Sequence, residues 1–142
     1  MKGLDDTFDS LSIFLENECA HRGIQGTFAA VDMRTDESIS NIRWSLICMD
    51  TPLKLNRPDG KPDSNSLANV LPKIAMVIAH RQNTGGEDSK VPGKNEAKIR
   101  GEVPHQGGRI SRDGEFGYAF SGALSEVDDE LMQLVENYHL NL

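Results

Sequence analysis

The stretch FGYAFS, Phe116 to Ser121, is the tightest constraint on what this chain can fold into. Successive side chains of a strand point to opposite faces. Phe116, Tyr118 and Phe120 therefore share one face, and Gly117, Ala119 and Ser121 share the other. The aromatic face calls for a core. The small face calls for something in close contact, and a helix, another subunit or a flat ligand would each satisfy it. A strand that needs cover on both sides implies a layered structure.

The neighbouring residues extend the reading. "RISR-DG-EFGYAFSG" reads as a hairpin with Asp113-Gly114 at its tip, because a type I′ turn needs positive φ at both central positions. Ser125 with Asp128 three residues on reads as a capping box, and Val127, Leu131, Leu134, Val135 and Tyr138 form the apolar stripe of a last helix. Asp128, Asp129 and Glu130 fall in its first turn, where the helix dipole alone accounts for them.

Towards the N-terminus, Phe8, Leu11, Leu15 and Cys19 recur at helical spacing from Asp5, and Gly23 marks the stop. "TFAAVD" is short and β-like. In "NIRWSLICMD", Ile42, Trp44, Leu46 and Cys48 alternate onto one face. "TPLKLNRPDGKPDSNS" carries three prolines and reads as a loop. Leu67, Val70, Leu71, Ile74, Val77 and Ile78 predict a second helix. Pro72 would cost about 3 kcal/mol inside it, so the helix is expected at 69–81 with Asn69 as N-cap. Residues 83–107 read as a long loop, more often functional or mobile than idle. The resulting order, α-β-β-α-loop-β-β-α, predicts an α+β antiparallel sheet flanked by helices in one domain, 1–142.

Composition narrows the function classes. A chain of 142 residues with 37% hydrophobic content has length for a single core, and no apolar run approaches a membrane span. The N-terminus lacks a basic, apolar signal pattern, so the cytoplasm is the expected location. Cys19 and Cys48 suit a reducing compartment as buried thiols. A net charge of −7 makes nucleic acid and anionic membrane poor partners.

Four histidines are the scarcest chemical resource. His21 and His80 end helices, where contact with the dipole explains them. His139 sits near a tail that can fray. His105 differs, because it lies in a Pro/Gly context just before a strand, where a rigid scaffold commonly holds ligand residues. Lys73, Arg81 and Arg109 could bind carboxylates, though each alone reads as solvated surface. Glu18-x-x-His21 and Glu136-x-x-His139 have the spacing of half a di-iron site, yet the strands deny the bundle such a site needs. No zinc spacing, nucleotide-binding glycine pattern or nucleophile elbow is present.

Gly107-Gly108, Gly114, Gly117, Ser121-Gly122-Ala123 and Asp128-Asp129-Glu130 stand in an order and spacing that resembles the GlcG/HbpS-type haem-binding (haem-degrading-domain-like) family. "KIAMVIAHRQNT", through Lys73, Arg81 and Thr84, is similar to a helix segment of that family. "AHRGIQGTFAAVD" is similar to its first helix-to-strand junction. The resemblance implies a profilin-like fold, a homo-oligomer, and binding of haem or a related tetrapyrrole. The chain would be a diverged member: its 32–45 region is longer, Pro72 interrupts the helix, and "YAF" replaces smaller residues.

Under that resemblance His105 is the first candidate for the haem iron, then His80 and His21. Arg81 and Arg109 would pair propionates, and Gly107 and Gly108 would line the cofactor. An enzyme acting on a small organic acid or biosynthetic intermediate is the alternative, with His105 as general acid/base and Arg109 orienting a carboxylate. A non-catalytic assembly or regulatory subunit is the third reading.

Overall fold

The computed structural model describes residues 1–34, 41–51, 65–85 and 94–142. Its elements are α1 (Leu4–Arg22), β1 (Gly26–Asp32), β2 (Ile42–Ile47), α2 (Ser66–His80), β3 (Asn83–Thr84), β4 (Lys94–Asn95), β5 (Gly108–Ile110), β6 (Phe116–Ser121) and α3 (Ser125–Leu140). Four strands form an antiparallel sheet in the order β2-β1-β6-β5, the α+β class expected. The 83–107 stretch, read as loop, contributes a separate parallel pair, β3 with β4. Strands of two residues are too short to display a period. Residues 52–64, most of the proline-rich stretch, and 86–93 lie outside the described residues.

The two faces of β6 are covered as its alternation requires. Phe116, Tyr118 and Phe120 join Phe28 and Ile47 in a core with Leu11 and Leu15 of α1 and Leu131, Met132 and Val135 of α3. On the other face Ala29, Val31 and Ala119 meet Val70, Ile74 and Val77 of α2. The small residues of β6 therefore admit a helix, and not a flat ligand, at that surface. Gly117 shows how close the approach is. A Cβ there would stand 2.9 Å from Val31 Cγ1 and 3.0 Å from Val77 Cγ1.

Several local expectations are corrected. Helix α2 begins at Ser66, with Asn65 as N-cap accepting from the Ala68 amide at 3.0 Å, and Pro72 lies inside the helix. Burial of Val70, Ile74 and Val77 outweighs the missing hydrogen bond at the proline. The hairpin tip is not type I′. Gly114 has φ 76°, but Asp113 is not in the positive-φ region. Instead the Gly114 amide donates to Ser111 O, and Asp113 Oδ1 accepts from Ser111 Oγ and the Glu115 amide. In β2 the alternating apolar set is not the buried face. Trp44 is 49% exposed, Ile47 on the opposite face is buried, and Cys48 leaves the strand with φ 57°. Cys19 is buried as expected, whereas Cys48 is half-buried. Ser125 forms no capping box, for it is the first residue of α3, and the N-cap is Leu124, without a side-chain cap bond.

Gly117→Val should lower the unfolding free energy by about 1–3 kcal/mol through overpacking between β1 and α2. Urea denaturation measures it; an unchanged midpoint would contradict the close packing of that face.

Candidate functional site

The double glycine begins β5 at the point where both helical layers meet the sheet edge. Lys73 belongs to α2 on one face, and Asp128 to the first turn of α3 on the other. Lys73 Nζ donates to Asp128 Oδ2 at 3.1 Å and to the Phe120 carbonyl at 2.9 Å. Both side chains are 3% exposed. Burial pulls the Lys73 ammonium down and pushes the Asp128 carboxyl up, and each partner's charge opposes the shift. Asp128 Oδ1 also accepts from the Ala123 amide at 2.9 Å, so the carboxylate ties the turn after β6 to α2. Lys73 is thus core structure and not the solvated surface expected for it.

Gly107 makes room for this pair. It has φ 112°, and a Cβ there would lie 2.7 Å from Phe120 O, 2.8 Å from Asp128 Cβ and 3.0 Å from Lys73 Nζ. Only glycine meets both demands. Gly108 is packed as tightly, with Thr84 Cγ2 2.7 Å from the position its Cβ would take. The outward amides of β5 are satisfied by side chains of β3. Gly108 N donates to Thr84 Oγ1 at 2.8 Å, and Ile110 N to Asn83 Oδ1 at 2.9 Å. An edge strand is so closed without a further full strand.

Arg109 faces α3. Its Nε donates to Glu136 Oε1 at 3.3 Å, and its Nη1 stands 3.7 Å from Asp129 Oδ1. Lys94 of β4 approaches the same carboxylate, Nζ 3.9 Å from Asp129 Oδ2. Asp129 and Asn95 are 6% and 5% exposed. Among the described residues, Asp129 Oδ1 and Asn95 Nδ2 have no hydrogen-bond partner. Asp128 and Asp129, read as first-turn acids serving the dipole, are instead buried partners of cations. Their roles were not visible locally because those cations come from α2, β4 and β5.

The histidines separate into different settings. His105 is exposed in the turn before Gly107. His80 sits at the end of α2, its Nε2 2.6 Å from Glu102 Oε2. Glu102 Oε1 accepts from the amides of Lys98 and Ile99 at 2.9 and 3.0 Å. The Lys98 amide, and then His80, hold the Glu102 carboxyl below its usual range. Arg81 caps α2 in the left-handed region with φ 50° and is exposed. His21 is exposed at the end of α1, in the layer opposite α2. The edge thus brings together Gly107, Gly108 and Arg109, with His105 close in sequence. It does not bring His21 to them.

His139 does not fray. It is 1% exposed, its Nε2 donates to Lys2 O at 2.7 Å, and its Nδ1 accepts from Tyr118 OH at 2.7 Å. The neutral imidazole satisfies both nitrogens in this way, and burial lowers its pKa. Among the described residues no group of three His, Cys, Asp or Glu side chains is placed to hold a metal ion.

No protein-family model and no curated protein sequence matches this chain. Among solved structures, the crystal structure of Klebsiella pneumoniae protein ORFY, assigned to DUF336, is similar with a TM-score of 0.64. The two share 18% identity over 92% of this chain and 86% of ORFY. What they share is the fold. DUF336 is related to the GlcG family, so the likeness is compatible with the family resemblance in the sequence. Among the described residues no helix is long and apolar enough to cross a membrane.

Two predictions follow from the buried groups. Lys73→Met should cost about 3–5 kcal/mol by stranding the Asp128 charge, and Lys73→Met/Asp128→Leu should regain much of it. Equal losses in the single and double variants would contradict a paired charge. For His139, the depressed folded pKa means its contribution is complete above the ordinary imidazole value of about 6.5. That contribution is lost as pH falls through the lower folded value. Unfolding free energies measured from neutral to mildly acid pH should fall less steeply in His139→Gln than in the parent chain; equal slopes would refute the assignment.

Proposed function

We propose that this chain is a homo-oligomeric binding protein for haem or a similar planar small molecule, seated on the turn that precedes the double glycine. The observation that carries the reading is the availability of His105, exposed on that turn. His80 is committed to Glu102 and His139 to Lys2 and Tyr118. An imidazole without those commitments is what an axial ligand requires. Ile99 on the same segment is 62% exposed and offers apolar contact. Lys98, Arg100 and Arg81 are exposed cations that suit carboxylates of such a ligand. Exposed Trp44 and Leu124 support assembly into an oligomer.

A small-molecule enzyme is the second reading, favoured by the His80–Glu102 pair. A carboxylate fixed by two amides orients the imidazole, the arrangement a general acid/base needs. His105, the earlier candidate for that role, lacks such an orienting partner among the described residues.

Haemin titration followed by absorbance tests the first reading. A saturable Soret shift near one haem per chain is expected, abolished in His105→Ala and retained in His80→Gln. A flat titration, or an unsaturable shift identical in all three proteins, would overturn it. Loss of turnover on small carboxylic acids in folded His80→Gln would then support the second.

A further inference from the structure

A recess lies on the half of the sheet away from β5, where the first turn of α1 meets the end of β1 and the start of β2. It is a cleft of about 390 Å³, room for roughly a dozen water molecules. Its charged lining is Asp5 and Asp6 of α1, Asp32 of β1, Arg34 just beyond it and Arg43 of β2. Leu4, the hydrophobic residue of the wall, is 3% exposed, so the cleft offers little apolar surface.

Arg34 is fixed from three sides. Its Nε and Nη2 donate to Asp32 Oδ1 and Oδ2 at 2.9 and 2.6 Å. Its guanidinium carbon stands 4.9 Å from the centroid of the Phe116 ring. Its Nη2 lies over Gly3, 3.1 Å from the position a Cβ there would take. A guanidinium has five N–H donors, and Asp32 takes two of them. The other edge of the fork, Nη1 with the second hydrogen of Nη2, has no partner among the described residues. Its planar shape matches a carboxylate. Arg43 is bonded to Asp5 at the rim. The Asp5 side chain is 85% exposed, and an exposed pair of this kind is weak, so Arg43 can turn to a ligand. Asp6 is exposed and has no ion-pair partner among the described residues.

Charge selects the ligand. Three aspartates against two arginines leave the wall with one net negative charge, that of Asp6. An anion alone would gain nothing from Asp6, and a cation alone would leave the open guanidinium edge unused. A molecule with both an ammonium and a carboxylate engages the two together. A sugar ring also carries an apolar face, and no aromatic side chain lines the cleft to receive it.

We propose that this cleft is a binding site for a small zwitterion of the amino-acid class, its carboxylate on Arg34 and Arg43 and its ammonium on Asp6. The proposal rests on neither haem nor His105, which precedes β5 at the other edge of the sheet.

The test is a nuclear magnetic resonance titration of the full chain with glycine, β-alanine and γ-aminobutyrate, which separate the two charges by increasing distances. Acetate, methylammonium and glucose are the controls. The Arg34 Nε–H and the backbone amides of residues 4–6 are read. A saturable shift with at least one zwitterion is expected, with every control at least tenfold weaker. Asp6→Asn and Arg43→Gln, both at exposed positions, should each weaken that zwitterion at least tenfold. No saturable shift with any of the three, a control that binds as well, or unchanged affinity in either folded variant would each overturn the proposal. Haemin binding can fail with this response intact, and the response can fail with haemin binding intact, so the two readings fall separately.

Discussion

The ion pair between Lys73 and Asp128 is the constraint around which the rest is arranged. It joins the helix on one face of the sheet to the helix on the other, and both charges are buried. Such a pair survives only if every remaining donor and acceptor is met. The Phe120 carbonyl and the Ala123 amide meet two of them, both at the end of β6. The chain returning as β5 must then pass over the ammonium without a side chain, which is why glycine occupies position 107. A packing requirement thus produces the motif that first draws the eye in the sequence.

The same arrangement also shapes the edge of the sheet. Thr84 and Asn83 close β5 with their side chains, His105 is exposed on the turn before Gly107, and Arg109 bridges towards α3. The buried network behind it is neutral in sum, and among the described residues Asp129 Oδ1 and Asn95 Nδ2 are left without a partner. Native interiors rarely leave such atoms unmet without a reason. The exposed imidazole of His105 beside this network is the feature on which the proposed binding function rests.

What the sequence disclosed and what it hid follow one physical division. The period of two in FGYAFS revealed both faces of β6, and the spacing of Phe8, Leu11, Leu15 and Cys19 revealed α1, because these signals are local. Pro72 misled, since a local penalty was outweighed by burial supplied from distant strands. Lys73 read as surface because its partners lie 47 and 55 residues away. His139 read as a loose tail because its acceptor is the Lys2 carbonyl, 137 residues distant. Of the candidate site, Gly107, Gly108, Arg109 and His105 were legible, while Glu102, Asn95 and Asp129 as partners were not.

Paramagnetic broadening of backbone amides on adding haemin to isotopically labelled protein tests the central claim most directly, because it locates the ligand. Broadening centred on residues 99–108 and fading towards α1 is the predicted result. Broadening centred on His21 and the end of α1, or none at saturating haemin, would contradict the assignment of the double-glycine edge as the binding site.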